Sequence, residues 1–201
     1  SDRYKKMGYD VKTLGWGDTE QQIYRFQQAI DELSFDDQKS ILDIGCGFGD
    51  FISLINKKGI KYNSYLGWDL NPDLILESKK IWSNYDKINF EVQNLAEVKN
   101  KKNIADIGVM FGVLNLNLKD QYDNYLYSEQ FISNAFNSVN EVLVVDFLSL
   151  NTTSEYPIQD INFYHDPIKM LEFALTLTPN VLMKHNYSSI PQKEFMLFLY
   201  K

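Results

Sequence analysis

Ile41-Leu42-Asp43-Ile44-Gly45-Cys46-Gly47-Phe48-Gly49 is the stretch on which the reading of this chain turns. Ser40–Ile44 is an apolar run too short for a stable helix, so it reads as a buried strand. Three glycines at alternate positions then signal a tight turn. Phe51, Ile52 and Leu54 follow at helical spacing. Strand, glycine turn and helix in that order open an α/β unit.

Working outward, the alternation repeats. Tyr65–Asp69 reads as a second strand, and Asn71-Pro72 opens a helix with proline where its missing N–H costs nothing. Ile88–Val92 and Ala105–Phe111 read as strands three and four, Glu129–Val139 as a helix, and Val142–Phe147 as the most apolar and hence central strand. Asp166-Pro167 caps a helix through Met170, Leu171 and Phe173. Val181–His185 and Glu194–Tyr200 then read as a hairpin. Upstream, Ile23, Phe26, Ile30 and Leu33 mark a helix from Asp18, with Asp18 as its N-cap. The expected fold is an α/β, seven-stranded, mostly parallel Rossmann-like sheet with a C-terminal antiparallel hairpin and helices on both faces.

Composition bounds the function. The 201 residues are 44% hydrophobic and 23% charged, ordinary for a globular chain. No repeat or Gly/Ser-rich linker divides them, so a single domain over 1–201 is expected. The lone cysteine, Cys46, excludes an internal disulfide and a cysteine-based zinc site, and no metal is expected. No apolar run approaches the ~20 residues of a membrane helix. Ser1–Asp10 lacks an apolar signal core, so a cytoplasmic location is expected. A net charge of −7 disfavours a nucleic-acid partner, which draws on basic excess.

In open α/β sheets ligands bind at the carboxyl ends of strands. Gly45, Gly47 and Gly49, with Cys46 contributing backbone, are expected to let a ligand approach where no Cβ intrudes. Asp69 ends the next strand, twenty residues after Gly49, where a carboxylate can accept from both hydroxyls of a ribose. The turn spacing is Gly-x-Gly-x-Gly and not the dinucleotide Gly-x-Gly-x-x-Gly, and Asp43 stands just before it. A carboxylate there repels phosphate and suits a cationic amino or sulfonium group. That favours S-adenosylmethionine over NAD or a nucleoside triphosphate.

These residues resemble class I S-adenosylmethionine-dependent methyltransferases. Ile41–Gly49 is similar to their motif I, and Leu66-Gly67-Trp68-Asp69-Leu70-Asn71-Pro72 to motif II, whose acid holds the ribose. The resemblance is strong over residues 40–114. It implies that Leu70 contacts the cofactor, that Asn94 meets the adenine amino group and that Leu95 lies against the ring. Met110, Phe111 and Gly112 would fall near the methionine portion and the methyl group. Gly15-Trp16-Gly17-Asp18, Gln22 and Arg25-Phe26 are similar to the lead-in of small bacterial members, which implies that residues 1–34 close over the cofactor.

Arg25 and Gln22 share one side of their helix, with Ile23, Phe26 and Ile30 on another. Arg25 is expected to pair with the methionine carboxylate, since its planar fork matches one, with Gln22 supporting it. His165 is the candidate general base, and Asp146 and Asn115 are candidates for the acceptor pocket at the strand ends. Tyr122, Tyr125 and Tyr127, with Leu114 and Leu116, are expected to belong to a lid that excludes water, the alternative being an apolar helix start. Trp68 and Cys46 are expected to pack, and Cys46 is not expected to react.

The expected activity is methyl transfer to a small molecule, yielding S-adenosylhomocysteine, with O-methylation ahead of N-methylation. The acceptor would be a sugar, another metabolite or a phosphate- or phosphoramidate-type anion in a biosynthetic pathway. The Asp/Asn-Pro-Pro-Tyr/Phe tetrad of nucleic-acid amino methylation is absent, there is no second cysteine for cytosine-C5 chemistry, and no separate substrate domain is expected in this length. A protein or RNA methyltransferase is the first alternative, and a non-catalytic cofactor-binding or interaction module the second. Oligomeric state is left open.

Overall fold

A computed structural model describes residues 19–95, 102–152, 158–187 and 192–201. Asp18 and the 15–17 lead-in lie outside them. The chain forms two compact units, residues 1–94 and 95–201. Its seven strands make a mostly parallel sheet with antiparallel C-terminal strands.

The first unit holds α1 (Thr19–Ile30), β1 (Ser40–Ile44), α2 (Asp50–Lys57), β2 (Ser64–Asp69), α3 (Pro72–Ile81) and β3 (Ile88–Val92). β1, β2 and β3 pair in parallel, with Ile44 opposite Trp68 and Asp69 opposite Val92. This register brings the glycine turn and the motif II acid to the same edge. Ile41, Leu42, Phe51, Ile52, Ile55 and Tyr65 are buried in its core. Asn71 caps α3 by accepting from the Asp73 N–H at 3.0 Å, as its place before Pro72 predicts.

On α1 the expected faces need correction. Ile23 is 37% exposed, while Gln22, Arg25, Phe26, Ala29 and Ile30 are buried. The inward face mixes polar and apolar side chains, so hydrophobic periodicity alone misassigned it. Phe26 meets Phe51 edge-on with ring centroids 5.4 Å apart.

The second unit holds β4 (Ala105–Met110), α4 (Asn124–Asn137), β5 (Val139–Leu148), α5 (Pro167–Leu177), β6 (Val181–Lys184) and β7 (Glu194–Tyr200). β5 pairs parallel with β4 and antiparallel with β7. Its residues from Val142 to Leu148 are all buried, which a strand flanked on both sides requires. Apolar side chains so buried contribute about 1.5–3 kcal/mol each.

The expectation of a helix starting at Glu129 is also corrected. α4 begins five residues earlier because Asp123 caps it, accepting from the N–H groups of Tyr125 and Leu126 at 2.8 and 3.1 Å. Tyr125 and Tyr127 therefore occupy its first turns and not a lid. The Tyr125 hydroxyl accepts from the Asp166 N–H at 3.1 Å, and Tyr127 packs on Phe131 at 4.3 Å. Among the described residues no helix is long and apolar enough to cross a membrane.

Candidate functional site

Gly45, Gly47 and Gly49 have φ of 78°, 54° and 84°, a region that favours glycine. Four N–H groups of the turn they make are spent internally. The N–H groups of Gly45 and Cys46 both reach the Trp68 carbonyl, at 2.7 and 3.0 Å. The Gly47 N–H donates to Asp69 Oδ2 at 3.0 Å, and the Gly49 N–H to the Cys46 carbonyl at 2.9 Å. A phosphate-binding turn aims such groups at its ligand. Here they hold the protein together, and what surrounds the turn is carboxylate: Asp43, Asp50 and Asp69. That set of acceptors and negative charges fits hydroxyls and cations, as S-adenosylmethionine offers, and opposes a pyrophosphate.

Asp69 is half-buried at the end of β2. Oδ2 accepts from Gly47 and Oδ1 from the Asn71 N–H at 2.8 Å. A carboxylate has about four lone-pair sites, so two bonds leave capacity for two ribose hydroxyls. Burial raises the pKa of Asp69, opposed by the hydrogen bonds from Asn71, Gly47 and Leu70. Beside it Leu70 is 67% exposed, and Val92, which pairs with Asp69 across to β3, is 51% exposed. These apolar side chains at the strand ends suit the face of a purine. Asn94 follows β3, partly exposed.

Asp43 is buried inside the first unit, and the Tyr65 hydroxyl donates to its Oδ2 at 2.7 Å. Burial pushes its carboxyl up to about 7, against that hydrogen bond and helped by the charges of Asp69 and Asp50. Gln22 donates from Nε2 to Asp50 Oδ2 at 3.0 Å, so α1 is tied to the first turn of α2, where the glycine loop ends. Arg25 is buried on the same face. The thiol of Cys46 is buried and its pKa pushed well up, which keeps it unreactive.

Gly49 has a different role from the one its place in the turn suggests. A Cβ there would lie 2.7 Å from Trp82 Nε1 and 2.9 Å from Phe90 Cζ. The space is filled by the protein: the Trp82 indole N–H passes through it to the Phe48 carbonyl at 2.9 Å. Tyr65, Asp50 and Trp82 were missed as supports of the turn, because their partners lie 20 or more residues away in sequence.

In the second unit each acceptor-side candidate has a hydrogen-bond partner within the protein. Asp146, buried at the end of β5, accepts through Oδ1 from the Gly112 N–H at 2.6 Å. Gly112 has φ 70°, and this bond shapes the turn directly after Phe111, which is buried. Asn115 accepts from the Leu148 N–H at 3.2 Å, and its own carbonyl accepts from the Phe163 N–H at 3.0 Å. Leu95 is buried, and its carbonyl accepts from Asn134 Nδ2 at 3.1 Å.

His165 is 0% exposed, with Nε2 2.8 Å from Ser128 Oγ and rings of Tyr125, Phe147 and Phe163 around it. Its Nδ1 is buried without a hydrogen-bond partner, and burial pushes its pKa down to about 3. An unpartnered nitrogen is less costly without its proton, which favours the tautomer that donates from Nε2 to Ser128. This environment opposes the expected role as a general base, since the ring holds its neutral form far below neutral pH. Among the described residues no group of His, Cys, Asp and Glu is arranged for a metal ion.

The chain has relatives of known structure. Small RNA methyltransferase HEN1 matches over 90% of this chain at 14% identity and a TM-score of 0.69, but this chain spans only 25% of its length. The TehB-like S-adenosylmethionine-dependent methyltransferase of Corynebacterium glutamicum matches over 92% of this chain and 89% of its own, at 19% identity and TM-score 0.61. Phosphoethanolamine N-methyltransferase 1 of Haemonchus contortus, solved with phosphoethanolamine and S-adenosylhomocysteine, matches over 99% of this chain and 47% of its own, at 10% identity and TM-score 0.70. At such identities the likeness carries the fold alone. No curated protein sequence matches. The model of the methyltransferase domain family matches residues 35–186, three quarters of the sequence and parts of both units. The chain belongs to that family, the class I, Rossmann-like methyltransferases that use S-adenosylmethionine.

Proposed function

We propose that this methyltransferase moves the methyl group to oxygen on a small-molecule acceptor that is already anionic, such as a carboxylate, phosphate or phosphoramidate of a biosynthetic pathway. The carrying observation is the state of the three acceptor-side candidates. His165 is buried and of very low basicity, while Asp146 and Asn115 hold backbone N–H groups. An oxyanion needs no proton removed before it attacks, whereas an alcohol or ammonium does. The net charge of −7 supports a small molecule over RNA.

The bound cofactor supplies a methyl group activated on a sulfonium sulfur. The protein's part is to align donor and acceptor and keep water out. In this reading Asp69 grips the ribose, Leu70, Asn94 and Leu95 meet the adenine, and Arg25 with Gln22 receives the methionine carboxylate. Asp43 balances the cationic centre, the backbone of Gly45, Cys46 and Gly47 forms the floor, and Phe111 borders the methyl group. Residues 1–201 act as one domain, supported by the family match that runs through both units.

A screen of methyl transfer to small carboxylates, phosphates, alcohols, amines, RNA and protein tests this. Turnover on an oxyanion is expected, with kcat at saturating cofactor flat from about pH 6.5 to about pH 9. Turnover on RNA, protein or an amine, or on an alcohol with a basic limb, overturns the acceptor assignment. Cofactor binding without turnover on any class supports a binding module.

Asp43 makes cofactor affinity pH-dependent. Its folded pKa, about 7, lies above the ordinary 3.8, so the ligand-free fold binds its proton more tightly than the unfolded chain. Its contribution to stability is full below 3.8 and is lost as pH rises through about 7. The cationic cofactor requires the ionised form. Affinity is therefore expected to rise with pH below about 7, approaching about tenfold per unit, and level off above it. Titration calorimetry from pH 5.5 to 8.5 checks this, with Asp43→Asn removing the slope.

A further inference from the structure

Ser78 lies on the buried face of α3 with Leu74 and Ile75, itself fully buried. Alanine there would be the better helix former and would bury no hydroxyl. The hydroxyl has a partner outside its helix: Oγ lies 2.8 Å from the Gly47 carbonyl and 2.8 Å from the Leu74 carbonyl, its one proton shared between them. One turn later Trp82 donates to the Phe48 carbonyl at 2.9 Å. Ser78 and the C-cap residue Trp82 are four residues apart, so α3 and its C-terminal cap present both donors to the turn. They grip two successive carbonyls of the glycine turn.

Gly47 is the pivot. Its carbonyl accepts from Ser78 and its N–H donates to Asp69 Oδ2. A glycine at φ 54° has no side chain to restrain it, so its orientation depends on these bonds. We propose that Ser78 and Trp82 are positioning residues for the cofactor: by fixing the carbonyls of Gly47 and Phe48 they keep the Gly47 N–H on Asp69 and hold that carboxylate in its ribose-binding pose. The inference builds on the cofactor assignment and adds two residues that act through Gly47 and Phe48.

The test measures S-adenosylhomocysteine affinity and the carboxyl titration of Asp69 by carbon NMR in ligand-free protein. Ser78→Ala and Trp82→Phe are each expected to weaken affinity by about 3–10-fold, the range of one ordinary hydrogen bond. The loss should be the same for 5′-methylthioadenosine, which keeps the ribose but lacks the amino-acid portion. Added to Asp69→Asn, Ser78→Ala should cost nothing further. The Asp69 pKa should rise in both variants, because the Gly47 N–H that lowers it is loosened; a change in packing alone would leave it unmoved. Should Ser78→Ala fail to fold, Trp82→Phe, which keeps an aromatic ring, carries the test. Unchanged affinity and an unmoved Asp69 titration overturn the proposal, as does full additivity with Asp69→Asn. If the unmodified protein binds no S-adenosylhomocysteine, the cofactor assignment fails, while the Asp69 titration still decides the positioning role.

Discussion

Asp69→Ala is expected to weaken S-adenosylhomocysteine binding by about 100-fold or more. The substitution removes the acceptor for two ribose hydroxyls, and hydrogen bonds to a charged group contribute about 1.5–3 kcal/mol each. It also removes the internal partner of the Gly47 and Asn71 N–H groups, so the turn and the start of α3 lose a brace. Asp69→Asn keeps the shape but loses the charge, and an intermediate loss is expected. Calorimetry on both variants, with circular dichroism to show an intact fold, measures this. An affinity within threefold of the parent for Asp69→Ala would remove the ribose role.

The second large effect concerns stability. Gly67→Ala is expected to destabilise the protein by about 1–3 kcal/mol, because an added methyl overpacks a filled site. Its Cβ would lie 2.6 Å from Phe90 Cδ1 and 2.8 Å from Cys46 Sγ, with no positive φ involved. For a chain of this size a 2 kcal/mol loss corresponds to a fall in Tm of about 4–8 °C. Two other glycines separate the causes. At Gly59, φ is +67° and nothing lies within 4 Å of the added Cβ, so Gly59→Ala carries conformational cost alone, about 1 kcal/mol. Gly49→Ala carries both costs, φ +84° and the collision with Trp82. Thermal melts should rank the losses Gly49, Gly67, Gly59, largest first. A Gly67→Ala protein that melts with the parent would show that Phe90 and Cys46 yield without cost.

Together the two results would separate the chemistry of the β2 edge from its packing. Asp69 and Gly67 are two positions apart on one strand, and both side-chain positions bear on the same turn. Loss of the first should leave the fold and remove the ligand; loss of the second should soften the fold that presents it.

Much of this protein was determined by its sequence alone, where the signals are local. Ser40–Ile44 ends in glycines that adopt positive φ, Asn71 and Asp166 cap helices that begin with proline, and each strand was read within a few residues of its observed bounds. Periodicity, turn chemistry and capping act over four or five residues, so a short window contains their cause. The strand-end position of Asp69 follows from the same reading, because strand direction places it. What only the tertiary structure decided depends on partners distant along the chain. Gly47 meets Asp69, Tyr65 meets Asp43, Trp82 fills the space over Gly49, and His165 closes on Ser128. The sequence shows that Gln22 and Arg25 share one side of a helix, but only packing could turn that side inward and leave Ile23 in solvent. A hydrogen bond between residues 20 or more positions apart forms only where strand order and register bring both groups together. The occupation of a side chain by the protein itself is thus a property of the fold.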